Sequence, residues 1–147
     1  MEALAMELAM RDAGMKPTQI QVVEAHGTGT AKGDPLEIKA ISKAYSTSER
    51  ADPLIITAGK ANIGHTESAS GISGLIKITL AMKNDLIPMQ IKIQTLNPEI
   101  DLTTIPATIP LEGHWPWRTL MGTPKVAGIS SFGFTGTNTH IIVQEAP

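Results

Sequence analysis

Lys60, His65 and Glu67 fall within eight residues of one another in the stretch KANIGHTESASG. An ammonium, an imidazole and a carboxylate that close can hold a charge balance and place a proton donor, the ingredients of acid-base or anion-stabilising chemistry. Lys60 and Glu67 are expected to pair, because charges at the edge of a core are seldom left alone. A second cluster, HGTGTAKGDP, sets His26 beside the hydroxyls of Thr28 and Thr30 on a backbone that glycine frees to approach a ligand closely. Were the loop to stand alone, the commoner explanation of those threonines would be that they satisfy loop backbone groups. The other two histidines promise less. His114, between Gly113 and Trp115, reads as a surface loop residue, and His140, opening a strand, as a buried structural one.

The elements that must carry these groups follow from pattern. Glu2 to Ala13 reads as a surface helix with Leu4, Leu8 and the alanines on one face, stopped at Gly14. Ile20 to Ala25 and Leu54 to Ala58 are short β-branched runs of the buried-strand kind, and they deliver His26 and Lys60 to the loops that follow. Asp34, Pro35 and Glu37 form a capping-box-like start to a helix whose stripe is Leu36, Ala40, Ile41, Ala44 and Tyr45. Ser68 to Met82 is apolar on nearly every side, with glycines at 71 and 74, and so predicts a helix sandwiched in the middle of the domain. At its N-terminal end the helix dipole favours His65 as a neutral imidazole.

Residues 84–124 differ in character. Six prolines and little helical periodicity predict short extended pieces wrapping the domain edge, with Trp115 and Trp117 anchoring a loop. Val126 to Ser130 and Thr139 to Gln144 are strand-like runs joined by SFGFTGTN, too short for a helical crossover, and predict an antiparallel hairpin. Phe132 and Phe134 belong to its glycine-rich tip, where they are placed to line or gate a pocket.

Composition narrows the function classes. At 147 residues, 41% hydrophobic and 18% charged, the chain is about one domain with a real core. A net charge of -2 and a pI near 6.1, with no basic cluster, exclude an obvious nucleic-acid footprint. Nothing at the N-terminus reads as a signal peptide or membrane span, so a soluble, cytoplasmic chain without membrane contact is expected. There is no cysteine, hence no disulfide, no thiolate metal site and no cysteine nucleophile. The loop GTGTAKG is one residue too long for G-x-G-x-x-G, and no P-loop is present, which makes an unrelated nucleotide-binding module a poor reading.

VEAHGTGTAKGDPLE, KANIGHTESASG and GISSFGFTGTNTH, in that order, resemble the C-terminal half of a β-ketoacyl synthase, the ketosynthase domain of type I polyketide and fatty acid synthases. The similarity runs over residues 1–147. It implies an α/β, thiolase-like half: a mixed β-sheet with a central buried helix and a C-terminal antiparallel hairpin. It also implies an acyltransferase activity, decarboxylative Claisen condensation of a carrier-bound malonyl-type extender with an acyl chain. In such enzymes a cysteine accepts the acyl group, the extender loses carbon dioxide, and the resulting carbanion attacks the thioester.

Carried onto this chain, the resemblance makes His26 and His65 the two active-site histidines, with Lys60 and Glu67 holding charge balance and orientation. Thr28 and Thr30 match threonines that bind the phosphopantetheine arm of an acyl carrier protein, so that arm is a substrate carrier and no cofactor is bound directly. Phe134 matches a gating phenylalanine whose N–H joins an oxyanion hole, with Phe132 beside it. The implied partners are an N-terminal ketosynthase half carrying the cysteine, the acyl carrier protein, and a second copy in a homodimer of the complete domain. Departures are Ala31-Lys32 in the first loop and Thr135, where glycine usually follows the gating Phe. Without the cysteine the isolated chain is expected to be inactive. The alternative is a non-catalytic partner of the chain-length-factor type, against which the presence of both histidines speaks.

Overall fold

The computed structural model describes residues 1–120 and 122–147. Four helices, α1 (Glu2–Asp12), α2 (Gly33–Tyr45), α3 (Lys60–Ile63) and α4 (Ser70–Lys83), surround a five-stranded sheet. Its strands run in the order β4 (Ala107–Thr108), β2 (Leu54–Thr57), β1 (Val22–Glu24), β6 (Val126–Phe132) and β7 (Asn138–Gln144). β1 is parallel to both β2 and β6, β4 is parallel to β2, and β7 returns antiparallel to β6. The sheet is therefore mixed, with the expected hairpin at one edge. β3 (Leu86–Ile87) and β5 (Trp115–Pro116) pair antiparallel in a separate ribbon. Residue 121 of the proline-rich stretch 84–124 lies outside the described residues. The rest of that stretch supplies these short strands, and Trp117 is buried there as an anchor.

Both sheet faces are covered, by unequal means. Val23 and its neighbours face α1 and α2 in a cluster with Met6, Met10, Ile41 and Tyr45. Val22, Ala127 and Ile129 face α4, where Ile78, Ala81 and Met82 close the other layer with Trp117. Parallel central strands buried on both sides account for the unbroken apolar runs in the sequence.

Several local expectations are corrected by this packing. α1 buries Ala3, Met6 and Met10, not Leu4 and Leu8, which stay exposed, because α1 lies across α2 and β7 and unbranched methionine fits that irregular groove. α2 turns Leu36 out and buries Ile38 with Ile41, Ala44 and Tyr45. The capping box does not form: the helix is preceded by Lys32 without a side-chain cap, and the Asp34 and Glu37 carboxylates bond to the loop before it. α4 buries only one side. Ile72, Ile76 and Leu80 are each more than half exposed, so the sandwiched helix has one of its two layers here. Phe132 ends β6 and does not sit in the turn.

His140 is the structural histidine expected. It is buried, with Nε2 at 2.6 Å from the Tyr45 hydroxyl and Nδ1 at 3.0 Å from that of Ser130. Burial holds its pKa down at about 4. Gly128 makes space for the pair, since a Cβ there would come closer than 3.0 Å to both Tyr45 Oη and His140 Nε2. Gly128→Ala is therefore expected to destabilise by about 1–3 kcal/mol through overpacking and loss of a buried hydrogen bond, measurable by urea denaturation of the complete domain.

Candidate active site

β1 and β2 run parallel and end side by side, which puts the residues after them at one edge of the sheet. His26 follows β1 by one residue beyond Ala25, and Lys60 opens α3 just after β2. Their contact is direct. Lys60 Nζ donates to the His26 carbonyl at 2.5 Å and lies 3.3 Å from His26 Nδ1. The Phe132 N–H, at the end of β6, also points to His26 Nδ1 at 3.4 Å. Two donors converging on Nδ1 make it the acceptor nitrogen, so the ring carries its proton on Nε2.

His65 arrives from the loop after α3, and its ring stands edge-on to that of His26 with centroids 5.6 Å apart. Its Nδ1 accepts the Glu67 N–H at 2.9 Å, which again leaves the proton on Nε2. That bond needs a turn with Glu67 at φ +50, a left-handed conformation uncommon outside glycine. The expected Lys60–Glu67 pair does not form: Glu67 is exposed and contributes its N–H to His65, while Lys60 is spent on His26. The dipole argument for His65 also changes, because a 3-10 turn (Glu67–Ala69) separates it from α4, and local bonding sets its tautomer instead.

Charge follows from burial. The His26 pKa is pushed down to about 4, first by desolvation and then by its electrostatic interactions with Lys60 and His65. The ring is therefore neutral near pH 7. Lys60 is also lowered, by desolvation, with the carboxylates of Glu37, Glu24 and Asp34 acting against that. Glu37 is buried at the base of the loop and accepts the His26 N–H at 2.6 Å and the Gly27 N–H at 2.8 Å. Burial pushes it up to about 7 against those two bonds.

A cleft of about 860 Å³ gathers His26, Thr28, Thr30, His65, Glu67, Phe132 and Phe134, so the sequence-expected residues other than Lys60 line one space. Lys60 stands behind it, in a cavity of about 200 Å³ shared with Glu24, Ser73 and Lys77. A third cavity, about 510 Å³, lies on the far side of the glycine loop beside Glu37, Gln90 and Asn97 and contains neither histidine. Thr30 Oγ1 accepts the Gly33 N–H and shares a 3.2 Å hydrogen bond with Thr28, which leaves one hydroxyl proton of the two for a ligand. The structural reading of these threonines thus holds in part for Thr30. Phe134 is fully exposed in the turn between β6 and β7, while the Phe132 ring packs against His26 with centroids 5.6 Å apart. His114 is exposed and accepts the Met89 N–H, away from the cleft.

Two residues at the site escaped sequence reasoning. Glu24 looked like an ordinary strand residue, though a carboxylate inside the run IQVVEA was a signal that something paired with it. Glu37 was assigned to helix capping because its spacing from Asp34 fits that pattern. Among the described residues no cluster of three or more metal-ligating side chains exists, and no helix is long and apolar enough to cross a membrane.

Comparison with known proteins shows the family. Residues 1–94 match the family described as the β-ketoacyl synthase C-terminal domain. A phenolphthiocerol/phthiocerol polyketide synthase polypeptide of Mycobacterium tuberculosis is 42% identical over 93% of this chain. A highly reducing polyketide synthase of Gibberella zeae is 44% identical over 99% of it. The chain spans only 7% and 5% of the lengths of those two proteins. Among solved structures, the ketosynthase from module 6 of the bacillaene synthase of Bacillus subtilis aligns with a TM-score of 0.85 at 35% identity. It covers 99% of this chain, which covers 28% of it. An oxazolomycin ketosynthase domain from Streptomyces albus aligns at 0.89 and 33% identity over 99% of this chain and 25% of its own. The mixed sheet with helices on both faces is thus the thiolase-like α/β arrangement that the motifs implied. Sequence, fold and relatives agree, and the chain belongs to the β-ketoacyl synthase family as a C-terminal ketosynthase segment.

Proposed function

We propose that residues 1–147 form the histidine-bearing half of a polyketide-type ketosynthase, an acyltransferase that condenses a carrier-bound malonyl-type extender with an acyl chain. The observation that carries this is the pair of imidazoles, edge-on at 5.6 Å, each with Nδ1 occupied by a backbone N–H and Nε2–H left as the donor. Two neutral donors that converge on a thioester carbonyl oxygen stabilise the negative charge arriving there as carbon dioxide leaves. The electron pair of the broken C–C bond becomes the enolate. Its carbon then attacks the acyl thioester on a cysteine supplied by the N-terminal half, and the cysteine thiolate departs.

The other groups serve that step. Lys60 holds the His26 carbonyl and Nδ1, so His26 cannot turn its proton away from the cleft. Glu67 acts through its N–H in orienting His65. The free hydroxyl proton of the Thr28–Thr30 pair is placed to bind the phosphopantetheine arm of an acyl carrier protein, with Phe132 and Phe134 lining the same cleft. A chain-length-factor-type scaffold would have no use for two oriented neutral donors.

The bare side of α4 supports a second half. Ile72, Ile76 and Leu80 follow one another at four-residue spacing along α4 and are exposed, as is Ile63 of α3, apolar surface that a homologous half would cover, and the complete domain would dimerise. The isolated chain is expected to self-associate in sedimentation velocity, and to show neither acylation nor malonyl decarboxylation. Adding the N-terminal half should restore both. A freely soluble monomer with a cooperative melt, or no gain of decarboxylation on reconstitution, would contradict the proposal.

A further inference from the structure

One buried carboxylate lies outside the cleft yet binds the turn that carries Lys60. Glu24 ends β1 two residues before His26 and is 3% exposed. Its Oε1 accepts the Gly59 N–H at 2.5 Å. Its Oε2 accepts the Thr57 hydroxyl and the Lys77 ammonium, each at 2.6 Å. Thr57 closes β2, Gly59 immediately precedes Lys60, and Lys77 projects from α4. One side chain therefore joins the ends of both central strands, the start of α3 and the middle of α4. The sequence has made room for it: a Cβ at Gly59 would lie 3.0 Å from Glu24 Oε1, and one at Gly74 3.3 Å from Glu24 Cγ. A glutamate, a lysine and two glycines from three separate segments thus form a single buried fitting.

We propose that Glu24 is a positioning residue for the reaction centre, setting Lys60 against His26 through its bond to the Gly59 N–H. From the Lys60 Cα, one residue past Gly59, Nζ must meet both the carbonyl and Nδ1 of His26. A shift of the β2–α3 turn would withdraw the Lys60 donor from Nδ1 and leave only the longer Phe132 N–H bond to hold the ring, weakening one of the two Nε2–H donors. Lys77 neutralises the carboxylate, so that it can be buried beside the site without drawing the Lys60 ammonium away from His26.

This inference rests on His26 as a donor in decarboxylation, and the test separates the two. In the complete ketosynthase domain, acylation of the cysteine and decarboxylation of the malonyl-carrier are measured as separate half-reactions. Glu24→Asp keeps the charge opposite Lys77 but withdraws the carboxylate by one methylene. Its decarboxylation kcat is expected to fall by roughly 100-fold, with KM and acylation changed by less than about 3-fold. Glu24→Gln, which retains an acceptor for Gly59, should recover to within about 10-fold of the parent. Equal losses in both half-reactions would reveal a merely structural role, and an unimpaired Glu24→Asp would also overturn the inference. His26→Ala is the control. If it loses decarboxylation while Glu24→Asp does not, only the role of Glu24 fails. If His26→Ala decarboxylates normally, the functional reading and this inference fail together.

Discussion

His65→Ala and His26→Ala, each in a complete two-half ketosynthase domain, are expected to lower malonyl-carrier decarboxylation by about 10²–10³-fold, the usual loss when one preorganised donor to a developing oxyanion is removed. The double variant should be little worse than either single one, because the two rings act on one oxygen as a unit. The pH dependence adds a separate check. His26 has a pKa of about 4, well below the ordinary imidazole value, so it stays neutral as the pH falls through 6.5. The acid limb of the kcat profile assigned to His26 should lie near pH 4. There a proton on Nδ1 would meet the Lys60 and Phe132 donors head-on. A limb near 6.5 that vanished in His26→Ala would mean that the ring is more exposed to water than its 5.6 Å approaches to His65 and Phe132 imply.

Lys77→Met is expected to cost the complete domain about 3–5 kcal/mol, since it leaves the Glu24 carboxylate buried with neutral donors only. That is a large part of the stability of an ordinary domain. Combining it with Glu24→Gln removes both charges at nearly constant volume and should return most of the loss in a denaturant titration. A Lys77→Met domain as stable as its parent would show that water reaches the carboxylate. The same substitution separates this pair from the exposed Arg11–Asp12 contact, whose 3.9 Å separation in open solvent contributes little.

Folding itself should respond to acid through His140. Its pKa of about 4 lies below that of an unfolded histidine, so the unfolded chain binds the extra proton first. Stability is lost as the pH falls from about 6.5 towards 4, and Tyr45 and Ser130, which hold the neutral ring, are where that loss originates.

The parts of this protein that sequence alone determined are those set by short-range pattern. β-branched runs at 20–25 and 54–58 became the parallel strands β1 and β2, and the short stretch SFGFTGTN between the last two strand-like runs could only hold a hairpin turn. Motif order alone points to His26 and His65, and both line the cleft. Partnership was the part that pattern could not decide. Lys60 and Glu67 are close in sequence and opposite in charge, yet Lys60 turns to His26, 34 residues away, because the strand ends are adjacent in the parallel sheet. Glu37 spaced like a capping residue, and the fold used it to hold the backbone of His26 and Gly27. Glu24 found Lys77 across 53 residues of chain. Spacing along the chain fixes which residues share an element. Which charges meet depends on the crossover that lays one strand beside another, and only the tertiary structure contains that. It is also what turned two histidines with separate loops into one pair of oriented donors.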